Sequence, residues 1–217
     1  MAETLENEGY IKFRRAMQDG RLQAGMTVTQ NELCELLGVS LSPLRETLVL
    51  LEQFGLVEIK PRAGIRIVYP EVAFIRENFQ FRILIETHAV KVFADQVSPE
   101  WIAGMRARHE DARNDLLSEQ PFELAQDKFL AIDRDLHADF VKALDNKAIL
   151  QTHTRLQENI RMARRVHQRS AFRGQLLDTA DEHLRIINAL ARHDVEGAVA
   201  ALEAHFRAST HRTFAAI

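Results

Sequence analysis

Apolar residues recur at intervals of three and four over most of this chain, and shorter stretches alternate between apolar and polar positions. The first helical stripe runs from about Tyr10 to Met17, with Ile11, Phe13, Ala16 and Met17 as its apolar positions, and closes at Asp19-Gly20. Thr29-Gln30-Asn31-Glu32 is a capping box, in which hydroxyl and carboxylate satisfy each other's orphan backbone donors. Leu33, Leu36 and Leu37 follow it, and Gly38 stands where a left-handed closing residue costs least. Val39, Ser40 and Leu41 separate this helix from another, for which Ser42 is the expected N-cap and Pro43 the first helical residue. Leu44, Leu48, Leu51 and Phe54 make its buried stripe and Gly55 ends it. Alternation from Val57 to Lys60 and from Ile65 to Ile67, around the turn sequence Pro61-Arg62-Ala63-Gly64, predicts a β-hairpin directly after the second helix. Two helices joined by a short turn and followed by such a hairpin make a winged helix-turn-helix.

Beyond Tyr69-Pro70 the texture changes. Glycines thin out, and the 3.6-residue period predicts six amphipathic helices at roughly 71–96, 99–118, 121–144, 146–168, 173–192 and 194–214. The expected fold class is mainly α, an N-terminal winged helix-turn-helix (1–70) followed by an all-α antiparallel bundle (71–217).

Composition narrows the picture without naming a partner. The chain has 217 residues, 46% of them hydrophobic and 27% charged, which is an ordinary globular balance. A single cysteine, Cys34, rules out an intramolecular disulfide framework. No apolar run is long enough for a membrane span, and the acidic start MAETLENEGYIKF lacks the features of a signal peptide. A cytoplasmic protein is expected. The formal net charge of -3 gives no global basic field, yet Lys12, Arg14, Arg15, Arg45, Lys60, Arg62 and Arg66 all fall in the N-terminal part. Arg62, at the tip of the wing, is a candidate for phosphate or minor-groove contact.

The segments Gly-Arg-Leu-Gln-Ala-Gly (20–25), Leu-Gly-Val-Ser-Leu-Ser-Pro-Leu-Arg-Glu-Thr-Leu (37–48) and Leu-Glu-Gln-Phe-Gly-Leu-Val (51–57), together with Gly64, resemble the GntR family of bacterial transcriptional regulators. The helical remainder resembles the FCD-type effector domain of the FadR branch, in its shorter, VanR-like six-helix form. The resemblance implies that the second helix enters the major groove, with Ser40, Ser42 and Arg45 as DNA contacts, and that Gly64 lets the wing backbone come close to DNA. Leu41 occupies the place between the two serines where the family usually carries arginine. An aliphatic side chain cannot pair bidentately with guanine, so an unusual operator is expected.

The bundle carries chemistry of its own. Asp133 and His137, four residues apart, project from one helical face that also bears Phe129, Leu136 and Phe140. His183 shares a stripe with Ile187 and Leu190, and His205 follows Ala198, Ala201 and Leu202 at helical spacing. A lone histidine on such a face is ordinarily a satisfied core residue. The set Asp133, His137, His183 and His205 is similar to the metal site of this regulator branch, and suits Zn²⁺ first, then Ni²⁺, Fe²⁺ or Mn²⁺. Arg82 matches an arginine that lines the effector cavity in the family and would clamp an anion, although a salt bridge to Glu86 one turn on is an equal expectation; Asn159 and Arg161 are further candidates for lining it. The other histidines, His88, His109, His153, His167, His193 and His211, read as surface or packing residues.

The function expected is a homodimeric, DNA-binding, ligand-responsive regulator of the repressor kind. It would recognise a short palindromic operator in double-stranded DNA, sense a small organic acid at the metal, and have no membrane partner. Two alternatives stay open: a dimeric DNA-binding regulator with a structural metal or none, and a metal-dependent enzyme with a vestigial winged helix. The chain has no HExxH motif and no glycine-rich phosphate loop, so no catalytic residue is assigned.

Overall fold

The computed structural model describes residues 7–53, 55–68, 72–167 and 172–214. Phe54, Tyr69 and Pro70, which entered the expected stripe and domain boundary, lie outside the described residues. The chain forms two compact units: one comprises residues up to Ile75 with Glu158–Arg169, the other Arg76–Gln157 with Ser170–Ile217.

In the first unit, α1 (Glu8–Gln18) starts at Asn7, whose side chain accepts from the Tyr10 backbone N–H at 2.9 Å. Helix α2 (Gln30–Leu37) has the reciprocal Thr29–Glu32 capping box and ends at Gly38 in the left-handed conformation (φ 60°), as the sequence pattern predicts. Helix α3 (Leu41–Gln53) begins earlier than expected. The Ser40 carbonyl accepts the first helical bond from Leu44, so Ser40 takes the capping place, and Ser42 and Pro43 both lie inside the first turn. Proline is tolerated there because the first-turn N–H groups have no helical acceptor.

The hairpin forms as β2 (Val57–Lys60) and β3 (Gly64–Ile67), paired antiparallel with Val57 opposite Ile67. A two-residue strand, β1 (Thr27–Val28), adds to the other side of β3 and gives the order β1-β3-β2. In β2 the alternation holds only at the base: Val57 is buried, but Ile59 is 37% exposed because the hairpin runs past the core there. Tyr10, Phe13, Leu33, Leu44, Leu48, Leu51, Ile65 and Ile67 form the core beneath.

The expected six helices of the remainder are α4 (Val72–Ala94), α5 (Pro99–Leu117), α6 (Phe122–Lys142), α7 (Lys147–His167), α8 (Arg173–Ala191) and α9 (Val195–Phe214). Their ends follow from local chemistry. Ser98 caps α5 with Pro99 in the first turn, while Asp145 and His193 take positive φ in the tight turns after α6 and α8. In the second unit α8 packs on α9, α5 and α6, and α5 packs on α6. Phe129, Phe140 and Phe206 are fully buried there, each stabilising the bundle by about 2–3 kcal/mol relative to exposure. No described helix is long and apolar enough to cross a membrane.

Candidate nucleic-acid interface and metal centre

In the first unit, the short link between α2 and α3 sets Ser40, Leu41, Ser42 and Arg45 on the exposed start of α3, opposite the face that buries Leu44 and Leu48. Leu41 is 39% exposed, an aliphatic side chain among polar ones on the expected reading face. Arg62 is exposed at the wing tip and holds a left-handed backbone (φ 63°). Gly64 has an internal reason to be glycine. Its φ is +98°, and a Cβ there would stand 2.8 Å from the Val28 carbonyl oxygen. Some of the N-terminal cations have carboxylate partners: Lys12 pairs with Glu8, and Lys60 and Arg66 both pair with Glu58.

Asn159 and Arg161 also belong to this unit. Arg161 pairs with Glu158 at 2.9 Å, and the buried Glu158 carboxylate also accepts from the Tyr10 hydroxyl, while Asn159 is buried beside them. Burial and the neighbouring Glu158 charge push the Tyr10 phenol well above its usual range.

In the second unit His137 on α6, His183 on α8 and His205 on α9 come together. All three are buried, and one ring nitrogen of each lies within 4.8 Å of the others. The Asp133 Oδ1 is 3.6 Å from Nε2 of His183 and 3.9 Å from Nε2 of His137. Each imidazole is held from behind through Nδ1. His137 donates to Glu86 and His205 donates to Glu182 at 2.8 Å, because a carboxylate can only accept; His183 Nδ1 lies 3.1 Å from Nε2 of His109. The Nε2 atoms of His137 and His183 are buried and have no hydrogen-bond partner among the described residues.

The electrostatics keep His137 and His183 neutral. Burial drives the His137 ring down to about 4, with Glu86 pulling the other way, and burial together with the neighbouring imidazoles drives His183 well below its usual range. Burial also lowers His109. The supporting carboxylates stay charged. Burial raises Glu86, but Arg82 and the two imidazoles His137 and His153 bring it well below the carboxylate range. Glu182 falls to about 2, since hydrogen bonds from Arg212 and His205 outweigh its burial. Neutral imidazoles with bare nitrogens beside a carboxylate are a donor set for a divalent transition metal.

Arg82 forms the expected salt bridge to Glu86. Its Nε donates to Glu86, while its buried Nη2 has no partner among the described residues, and the guanidinium lies 5.1 Å from the Phe206 ring centroid. The sequence reading missed the supporting groups. His153, read as packing or surface, is buried and bonded to Glu86 at 2.7 Å, and His109, read likewise, is fully buried against His183. His109 shares a helical stripe with Met105, Ala112 and Leu116, all buried, and that stripe is legible in the sequence.

Two known families match this chain. Residues 6–67 match the family described as bacterial regulatory proteins, gntR family, and residues 77–208 match the FCD domain. The chain is 24% identical over 199 residues to an HTH-type transcriptional regulator from an unstable DNA locus of Streptomyces ambofaciens, covering 92% of this chain and 80% of that protein. Among solved structures it is similar in fold to E. coli McbR/YncC, with a TM-score of 0.71 at 17% identity, covering 97% of this chain and 96% of the other. It is also similar to the metal-free FCD domain of TM0439, with a TM-score of 0.55 at 22% identity, covering 67% of this chain and 95% of that one. With a gntR-type helix-turn-helix and an FCD domain in one chain, the protein belongs to the GntR family of transcriptional regulators and is not an enzyme.

Proposed function

We propose that the protein is a homodimeric repressor whose helical unit senses a small organic acid at a divalent metal held by His137, His183 and His205, with Asp133 as a fourth ligand. The observation that carries this reading is the convergence of three buried imidazoles, two of which have an Nε2 with no hydrogen-bond partner among the described residues. A buried polar nitrogen without a partner is costly, and a metal removes that cost. Zn²⁺ is the first choice for three buried imidazoles and one half-buried carboxylate, with Ni²⁺, Fe²⁺ and Mn²⁺ suited to the same donors.

Charge supports an anionic effector. The two supporting carboxylates, Glu86 and Glu182, each have their own arginine, Arg82 and Arg212. A divalent cation there would add positive charge that these already paired carboxylates do not offset. When bound, the metal supplies a Lewis-acidic position for a carboxylate oxygen. The Nη2 of Arg82, without a hydrogen-bond partner among the described residues, offers a second donor to such a group, with the Phe206 ring against the guanidinium. Ser40, Ser42, Arg45 and Arg62 are proposed to contact the operator, with Gly64 shaping the wing, and the division of labour follows domains of about 1–70 and 71–217. A second copy would cover the exposed apolar residues Phe81 and Leu84 of α4, which are 46% and 70% exposed.

The test is a thermal-shift screen of the purified protein against small organic acids, with and without chelator, followed by operator binding measured by fluorescence anisotropy. A ligand present at 100 times its Kd raises stability by about 2.7 kcal/mol. A stabilising acid whose effect disappears on chelation, returns with one metal and shifts operator affinity supports the reading. Metal-free protein that ignores added metals and every acid refutes it. Metal binding without any acid response points instead to a structural metal.

A further inference from the structure

Of the three clustered histidines, two are backed by carboxylates and one is not. His183 is backed by another histidine, and the partner of that histidine decides which nitrogen of His183 is bare. His109 and His183 are both fully buried, on α5 and α8. Nδ1 of His109 lies 2.8 Å from the Met105 carbonyl oxygen, one turn back on the same helix. A carbonyl oxygen can only accept, so Nδ1 carries the proton and donates. In a neutral ring Nε2 is then bare. It lies 3.1 Å from Nδ1 of His183 and must accept from it. His183 is thereby the Nδ1–H tautomer, and its lone pair lies on Nε2, on the side of Asp133, 3.6 Å from Oδ1.

The opposite arrangement is excluded by the same contacts. With the proton on Nε2 of His109, two lone pairs would oppose each other at the Met105 carbonyl. His183 would then carry its proton on Nε2 and present an N–H, not a lone pair, to the other histidines. Ring planes reinforce the relay. His109 meets His183 edge-on (interplanar angle 79°), and Phe129 lies nearly parallel to His183 (13°) with ring centroids 6.0 Å apart.

We propose that His109 is a positioning residue of the centre, which relays the Met105 carbonyl to His183 and fixes the tautomer whose Nε2 can act as a ligand. Unlike Glu86 and Glu182, it does so without adding negative charge. The inference rests on the metal reading above for its purpose, but the relay itself can be measured without metal.

The test compares wild-type protein with His109→Gln and His109→Phe as full chains. The glutamine retains a carbonyl acceptor for the His183 Nδ1–H, whereas the phenylalanine offers none. Long-range ¹H–¹⁵N spectra of metal-free protein report the tautomer of each ring. The expected result is a pure Nδ1–H His183 in wild type, a mixture of tautomers in His109→Phe, and recovery of Nδ1–H in His109→Gln. Zinc affinity, read by competition with a chromophoric chelator, should fall about 10- to 100-fold in His109→Phe and largely return in His109→Gln. An unchanged His183 tautomer in His109→Phe, or unchanged zinc affinity, overturns the proposal. If His109→Phe fails to fold, His109→Gln decides alone: near-wild-type tautomer and affinity support the relay, and an Nε2–H His183 overturns it. If wild-type protein binds no zinc, the metal reading falls and the tautomers alone decide the relay: Nδ1–H lost in His109→Phe and regained in His109→Gln supports it, and an unchanged tautomer overturns it.

Discussion

The same substitution, glycine to alanine, should have opposite signs at Gly64 and Gly104. At Gly64 the backbone is left-handed (φ +98°), and the added Cβ would stand 2.8 Å from the Val28 carbonyl oxygen and 3.3 Å from Thr27 Cγ2. The nearer atom is backbone in β1, held in register with β3 through Val28 opposite Ile65, so it cannot swing aside as a side chain would. Strained φ costs about 1–3 kcal/mol. Relief by separating β1 from β3 costs a further ~1 kcal/mol per ladder bond lost. The smaller conformational freedom of the unfolded alanine chain returns about 0.4–1 kcal/mol. The net expectation is a loss of roughly 2–3 kcal/mol. Gly104 lies in the exposed middle of α5 with ordinary φ, and a Cβ there meets nothing within 4 Å. Alanine at that position should stabilise by about 0.5–1 kcal/mol.

Because the chain has two compact units, a single melting curve need not resolve either change. Hydrogen exchange read peptide by peptide in the intact chain does. A loss of about 2 kcal/mol in the wing corresponds to exchange roughly 30-fold faster in peptides covering β1 and β3, with α5 unaltered. In Gly104→Ala, α5 should exchange several-fold more slowly and the wing should be unchanged. Wing exchange within twofold of wild type in Gly64→Ala would refute the reasoning, since it would mean that the Val28 carbonyl gives way freely.

Three further outcomes are expected. Tyr10 should not ionise in the folded protein: the unfolded chain releases its phenol proton near pH 10 while the folded chain keeps it, so stability falls as pH rises beyond 10. A Tyr69→Phe variant isolates this signal among the two tyrosines, and phenolate absorbance appearing before alkaline unfolding would contradict it. Glu182, held at about 2, contributes stability that is complete above about 4.5 and lost as pH falls toward 2. Acid denaturation of Glu182→Gln should be shallower in that window, and an unchanged profile would remove the Arg212–Glu182–His205 contact from the account. Leu41→Arg should tighten binding to operators with guanine at the contacted position by about 1–3 kcal/mol, measured by selection from randomised DNA, and an unaltered selected sequence would place position 41 off the base edges.

How much of this protein its sequence discloses depends on whether the deciding partner is near in the chain. The six bundle helices begin and end within two residues of the expected positions because their signals are local: Ser98-Pro99 before α5, a left-handed residue after α8, an uninterrupted 3.6-residue stripe between. The start of α3 was misplaced by a local ambiguity, since Ser40 and Ser42 are both competent caps and only the packing of α2 against α3 chooses. Strand β1 escapes because two residues cannot show a period, and its existence depends on pairing with β3 nearly 40 positions on. The histidine cluster divides along the same line. His137, His183 and His205 sit on apolar stripes, as His109 does, and it is the family resemblance, not spacing, that singles them out. Their supports could not be singled out this way, because Glu86, Glu182 and His109 become supports only when α4, α5, α8 and α9 bring them behind a particular ring. Local spacing therefore shows which histidines face the core, while the nitrogen that holds the lone pair depends on contacts between helices distant in sequence. For His183 that contact is His109, so a substitution on α5, outside any ligand motif, should decide whether a nitrogen on α8 can bind.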